Sequence, residues 1–420
     1  MSAETGNTSS RTPPYEILLQ ETRRVLLSPY SLLTPPQIVF GWGRRVEVGR
    51  LAATLGSRAF LISGSRTLTA HGVIGQIAAS LTEVGLAVVA ETAPDHEPEV
   101  ADVDRLTAAM RAHHIRSGDC VVAVGGGSTL DLAKAAAAMA TNAPTSEPPC
   151  SVVDYLEGVG KGYQLTAAPL PMLALPTTAG TGSEATKNAV ISCYDPLFKK
   201  SLRSDRMVPR IVLVDPELTV SVPRTTTAYT GMDAITQLLE SYISKRAAPI
   251  PQALCVQGLE LALPAIVTAC SDGANRAARE AMSHAALLSG IALANSGLGL
   301  AHGVAAALGV HARVPHGLAC AVMLVPALRF NQVCRRSALA ELARVVLRSA
   351  AATEETAAMI LIEHIEKLCR AVDIPTRLRD LGVRQEQIPD LVTGSQGNSL
   401  SGNPRDVSPD ELRELLESLW

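Results

Sequence analysis

The sequence predicts an α/β fold joined to an all-α one: a parallel sheet wrapped by helices in the N-terminal half, then a helical C-terminal half. Three observations predict it. Strand-like and helix-like segments alternate from "TPPQIVFGWGRR" to about residue 215. One of those strands ends in three glycines and runs directly into a helix. Beyond "VLVDPELTVSVP", long Ala- and Leu-rich stretches follow with no convincing strand. At 420 residues the chain exceeds one compact core, so two domains are expected. Their bounds read as 35–215 and 216–420, behind an N-terminal extension over 1–34.

Taken in order, residues 1 to about 12 are rich in Ser, Thr, Gly and Asn, a composition that reads as disordered. Tyr15 to Leu27 fits a short amphipathic helix, and "TPPQIVFGWGRR" an edge strand closed by a glycine turn. "RAFLISGS" is a strand followed by the helix "GVIGQIAASLTEVG"; "LAVVAE" is the next strand and "EVADVDRLTAAMRAHH" the next helix. "DCVVAVGGGST" then leads into "LDLAKAAAAMATN". Such alternation implies a parallel sheet wrapped by helices, with ligands at the carboxyl ends of its strands.

Bulk properties exclude several classes. A net charge of -3 gives no electrostatic case for nucleic acid or an anionic membrane as partner. Apolar runs such as "AVISCY" and "CVVAV" are far shorter than a membrane span, and the polar N-terminus lacks the apolar region of a secretory signal. Eight cysteines without a CxxC pair read as buried thiols of a reducing cytoplasm. At 3% aromatic residues, base-stacking and sugar-platform readings are also weak.

"VVAVGGGSTLDLAK" sets Gly125, Gly126, Gly127 and Ser128 between a buried strand and a helix N-terminus. Glycines there let phosphates approach the backbone, where the first N–H groups and the helix dipole favour negative charge. A tight strand-to-helix turn would also want glycine, and neither G-x-G-x-x-G nor a P-loop lysine motif is present. A second loop, "LALPTTAGTGSEAT", follows another apolar strand and carries Thr177, Thr178, Thr181, Ser183 and Thr186, hydroxyls suited to ribose or phosphate oxygens. Two such loops after parallel strands favour a nucleotide cleft. In "GMDAITQLLESYIS", Asp233 and Gln237 stand four residues apart and share one helix face. The pair is open to two readings, metal ligands or hydrogen-bonded packing.

These loops, with "VDPELT", "GMDA" and the histidines of "AHGVAAALGVHARVPHG", closely resemble the iron-containing (group III) alcohol dehydrogenase family from about residue 35 to the end. The resemblance implies a dehydroquinate synthase-like fold, with a Rossmann-like domain, an all-helical domain, and a catalytic divalent metal between them. By position, Gly126, Gly127, Ser128 and Asp131 match the family's pyrophosphate turn. Thr177, Thr178, Thr181 and Thr186 match its threonine loop, and Lys200 a cofactor-side lysine. Asp233, His302 and His316 match three of its four metal ligands and would act in catalysis through the metal.

The chain departs from the pattern twice. Gln237 stands where a histidine ligand is usual, and Ala306 where a further histidine lies near the nicotinamide. A carboxamide oxygen is as neutral a donor as imidazole, so an Asp233–Gln237–His302–His316 set would still fit Fe(II) or Zn(II), with lower affinity. His311, in the loop leading to His316, and His284 are nearby candidates to relay a proton in place of the missing histidine; solvent is the simpler one. Members that prefer NAD often carry an Asp after the strand "RAFLIS". Here that position is Ser65, followed by Arg66, so NADP(H) is expected to be accepted at least as well as NAD(H).

The expected function is thus hydride transfer between NAD(P) and a small alcohol or aldehyde, by a cytoplasmic protein expected to be a homodimer. A dehydroquinate synthase-like lyase would need basic residues converging on a phosphorylated substrate, and the motif region is lined instead by Ala, Gly, Leu and Val. A maleylacetate reductase is nearer, but the "PHG" context fits the alcohol dehydrogenase branch. A non-catalytic binding protein is the reading the two missing histidines suggest.

Overall fold

The computed structural model describes residues 29–142 and 150–420. The expected disordered tail and the helix over Tyr15–Leu27 lie outside the described residues. Residues 32–420 form one compact unit.

Among the described residues eight strands form in chain order: β1 (Gln37–Phe40), β2 (Arg58–Ser63), β3 (Ala87–Thr92), β4 (Asp119–Gly125), β5 (Met172–Pro176), β6 (Asn188–Tyr194), β7 (Leu197–Arg203) and β8 (Ile211–Val214). Six make a parallel sheet in the order β1-β8-β5-β4-β2-β3. β6 and β7 stand apart as an antiparallel hairpin. The hairpin was not foreseen, because "LFKKSLR" has neither an apolar run nor clean alternation.

Strand pleating sends alternate residues to opposite faces, and both faces are buried. One face carries Ala59, Leu61, Val122, Val124 and Leu173. Helices α1 (Val48–Ala52), α2 (Arg66–Ala70) and α3 (Val73–Glu83) contribute Leu51, Leu68, Ile77 and Leu81 to that cluster. The other face carries Phe60, Ile62, Val121 and Ala123, met by α4 (Val100–Ala112) and α5 (Gly127–Asn142). The alanines of α5 let it lie close on the sheet.

Helices α6 (Arg224–Ile243), α7 (Pro249–Ser271), α8 (Arg276–Ser296), α9 (Leu300–Ala312), α10 (His316–Val346), α11 (Glu354–Ala371), α12 (Ile388–Gly394) and α13 (Pro409–Leu419) build the C-terminal half around its own core. α6 is buried on all sides from Gly231 to Ile243, as a helix passing through a core must be. By length and composition alone α7 and α10 would suffice to cross a membrane, contrary to the expectation from short apolar runs. In both, half or more of the most apolar window is buried within the protein. No disulfide forms, and five of the eight cysteines are buried; Cys150 and Cys193 are half-buried and Cys334 is exposed.

Near the C-terminus, "GNPRD" folds back on the bundle. Buried Asn403 and Asn331 exchange side-chain hydrogen bonds of 2.9 and 2.8 Å, and Asn403 Oδ1 also accepts the Leu300 N–H that opens α9.

Candidate active site

The sheet places the two loops. Val124 pairs with Leu175 and Gly125 with Pro176, so the turn after β4 and the loop after β5 leave side by side. The Thr177 N–H donates to the Gly125 carbonyl at 3.0 Å. The strand order reverses direction between β2 and β4, the position where open α/β sheets bind ligands. Glycine is needed by proximity: a Cβ on Gly127 would lie 2.5 Å from Thr181 Oγ1, and one on Gly125 2.4 Å from Thr129 Oγ1.

A cavity of about 470 Å³ runs from this turn to the histidines of α9 and α10. Of the residues singled out in the sequence, Gly127, Ser128, Asp131, Thr181 and Thr186 line its nucleotide end. Lys200, Gln237, His302, Ala306 and His316 line the rest. Gly126, Thr177, Thr178, Ser65 and Arg66 are not on its wall. Ser65 caps α2 by accepting the Leu68 N–H, and the exposed Arg66 pairs with Asp95.

Two residues assigned to the cofactor are committed elsewhere. Asp131 accepts from Ser183 Oγ and from the Val190 N–H at 2.9 Å, and lies 3.1 Å from Lys134 Nζ. The Thr186 hydroxyl accepts from Lys134 at 2.9 Å. Both belong to a hydrogen-bond network that ties α5 to the threonine loop. Lys134, which sequence reading passed over, donates also to the Ser183 and Asn188 carbonyls; burial lowers its pKa, opposed by Asp131. Its signal was visible as the one cation inside "LAKAAAAMA". Beside it burial raises the Glu184 carboxyl to about 7. Along the cleft, Lys199 pairs with Glu97, and Lys199 and Lys200 are both half-buried.

At the far end, α6, α9 and α10 bring Asp233, His302, His316 and Cys320 together, with one donor atom from each inside 4.8 Å of the others. Among the described residues this is the one such group of His, Cys, Asp and Glu. His302 Nε2 lies 3.2 Å from Asp233 Oδ1, and Cys320 Sγ lies 3.7 Å from His316 Nε2. Glu240, seven residues after Asp233 on α6, accepts from His302 Nδ1 at 2.7 Å with Oε2 and from the Ala301 N–H at 2.7 Å with Oε1. Such a carboxylate fixes the ring so that Nε2 faces the cluster. Asp233 Oδ2 is buried with no hydrogen-bond partner. An orphaned carboxylate oxygen among convergent donors fits a cation and little else.

The charges respond to this crowding. Burial opposes a charged His302, but Cys320, Asp233 and Glu240 outweigh it and hold its pKa well above the ordinary histidine value. Burial lowers that of His316. Burial works to raise Asp233, yet the hydrogen bond from His302 leaves its carboxyl below the usual range. The Cys320 thiol is pushed up to about 12, chiefly by burial.

Gln237 is held on both sides. Its Oε1 accepts from Ser289 Oγ at 2.6 Å and its Nε2 donates to the Thr181 carbonyl at 3.3 Å, which is the geometry of a packing pair. His311 is in the last turn of α9, not in a loop, with its ring against Gly394. His284 stands edge-on to Phe40 at 4.9 Å. Neither histidine lines the cleft.

Comparison with known proteins bears on the whole chain. Residues 35–216 match the family model described as iron-containing alcohol dehydrogenase, and residues 227–420 the C-terminal model of the Fe-containing alcohol dehydrogenase family. Alcohol dehydrogenase 4 of Saccharomyces cerevisiae (strain YJM789) is 33% identical over 387 residues, 92% of this chain and 97% of that one. The NAD-dependent methanol dehydrogenase of Bacillus methanolicus is 30% identical, covering 92% of this chain and 99% of its own. Among solved structures, a 1,3-propanediol oxidoreductase superposes with a TM-score of 0.85 at 30% identity, covering 94% of this chain and 100% of that one.

Proposed function

Because this chain belongs to the iron-containing alcohol dehydrogenase family, we propose that it interconverts a small alcohol and its aldehyde, with NAD(P) as hydride carrier and a divalent metal at Asp233, His302 and His316. The observation that carries this is the buried donor cluster at the end of a cleft that begins at the glycine turn.

A divalent cation held there supplies Lewis acidity toward an alcohol or carbonyl oxygen. The protein's own residues do the remaining work. The first N–H groups of α5 and its dipole favour the cofactor's pyrophosphate, and Gly127 leaves room for it beside Thr181. Lys134 and Asp131 hold the threonine loop at the distance this requires. Once a cation displaces the proton on Nε2, Glu240 would hold the remaining ring proton on Nδ1 and leave Nε2 facing the metal. Ala306 offers no proton acceptor, so the alcohol proton leaves by solvent along the cleft. The relatives' names point to short alcohols of the methanol and 1,3-propanediol kind as the first substrates to try.

NADP(H) use is the finer reading. It is supported by the absence of a carboxylate at Ser65 and by the guanidinium of Arg66; Asp95, which pairs with Arg66, is the group that opposes it. Exposed pairs of this kind hold each other weakly, so a 2′-phosphate could compete for Arg66.

The test is a panel of short aldehydes with NADH and NADPH, run before and after chelation with elemental analysis. Turnover that disappears with the metal and returns on reloading is expected. Full turnover by metal-free protein would overturn the proposal.

A further inference from the structure

We infer that, within this metal-dependent reading, Cys320 supplies the fourth protein ligand, so that the centre is Asp233–His302–His316–Cys320 and Gln237 stays outside it. His316 opens α10 and Cys320 follows one turn later, so the helix itself delivers both side chains to one face. Cys320 is fully buried, its sulfur 3.7 Å from His316 Nε2. A tetrahedral zinc with a thiolate at ~2.3 Å and an imidazole at ~2.05 Å sets those two atoms roughly 3.6 Å apart. The carboxylate and imidazole of Asp233 and His302, 3.2 Å apart, agree with the same geometry, which gives roughly 3.3 Å.

Gln237 is the competing donor, and its oxygen is already taken by Ser289. Turning it toward the cluster would break that buried bond and the part-buried one to the Thr181 carbonyl. Cys320 needs no such rearrangement; on binding, its thiol proton passes to solvent and the thiolate remains. Carboxylate and thiolate together balance the charge of a divalent ion, and a soft sulfur ligand shifts preference from Fe(II) toward Zn(II).

The experiment loads the full-length, metal-stripped protein with Co(II) alone and records its absorption spectrum. A thiolate-to-cobalt charge-transfer band in the near ultraviolet is expected. It should be lost in Cys320→Ser and kept in Gln237→Leu, with Cys320→Ser binding zinc at least tenfold more weakly. Bound cobalt without that band in the wild-type protein would overturn the assignment, whether or not the variants fold. A band that persists in Cys320→Ser but vanishes in Gln237→Leu would also overturn it. If cobalt fails to bind the wild-type protein at all, the metal-dependent reaction itself falls, which is a distinguishable result.

Discussion

Glu240→Gln tests how the helical half prepares the histidine. In the wild-type protein each carboxylate oxygen has one buried donor, the Ala301 N–H and His302 Nδ1, both at 2.7 Å. Glutamine keeps the shape but brings a single oxygen. If that oxygen faces Ala301, the amide NH₂ faces His302 and the ring must accept through Nδ1, which moves its proton to Nε2, the atom 3.2 Å from Asp233. The lone pair intended for the metal is then blocked. If the oxygen instead faces His302, the Ala301 N–H loses its acceptor and a charge-assisted bond becomes a neutral one. Either arrangement should weaken metal binding by ~10–100-fold, about 1.4–2.7 kcal/mol. Competition against a chelator of known affinity measures this directly, and nitrogen NMR of His302 in the zinc-loaded protein reports whether Nδ1 keeps its proton. Unchanged affinity in a folded variant, with the ring still protonated on Nδ1, would refute the reasoning.

Three further outcomes are expected. Gly127→Ala puts a methyl group 2.5 Å from Thr181 Oγ1, and should raise the KM for either cofactor by about tenfold or more while leaving metal content unchanged; cofactor titration by fluorescence checks it. Arg66→Ala should raise the KM for NADPH by roughly tenfold and spare NADH, whereas Asp95→Ala should lower the KM for NADPH; equal effects on both cofactors would show that this corner does not read the phosphate. Glu184 is almost wholly buried, and its carboxyl is raised from 4.5 to about 7, so the folded state keeps a proton the unfolded chain has lost. Its contribution is therefore fully present below the unfolded pKa and lost as pH rises through the folded one, a loss of about 3 kcal/mol. Urea unfolding at pH 5 and pH 8 should show that loss in the wild-type protein and less of it in Glu184→Gln.

Much of the scaffold was readable because it rests on local patterns. Unbroken apolar runs such as "VVAV" marked buried parallel strands, and glycines after β4 marked a turn where backbone and side chain meet at contact distance. Motif resemblance located His302 and His316, which the structure places with Asp233. What escaped depends on where distant segments meet. Asp131 sits in the glycine-turn motif, yet its oxygens accept from Ser183 in the threonine loop and Val190 in the β6–β7 hairpin. Glu240 gains meaning only because α9 begins beside it, and Cys320 because α6 and α9 converge on one turn of α10. Gln237, read as a possible ligand because of its spacing from Asp233, finds Ser289 on a neighbouring helix first. The hairpin of β6 and β7 escaped for a different reason: its half-exposed, lysine-bearing strand has no periodic signal to read.

The exchange of amides between Asn403 and Asn331 has a temporal side. Leu300, two residues before His302, is anchored by a group that is synthesised more than a hundred residues later. A chain emerging from the ribosome N-terminus first therefore makes Asp233, His302 and His316 well before it makes the clamp that steadies α9. Until then Glu240 holds the first turn of α9 at Ala301 and His302, and the Leu300 N–H lacks its Asn403 acceptor. The Leu300 N–H gains its acceptor only once Asn403 has been made, after the sheet strands and after the donors of α6, α9 and α10.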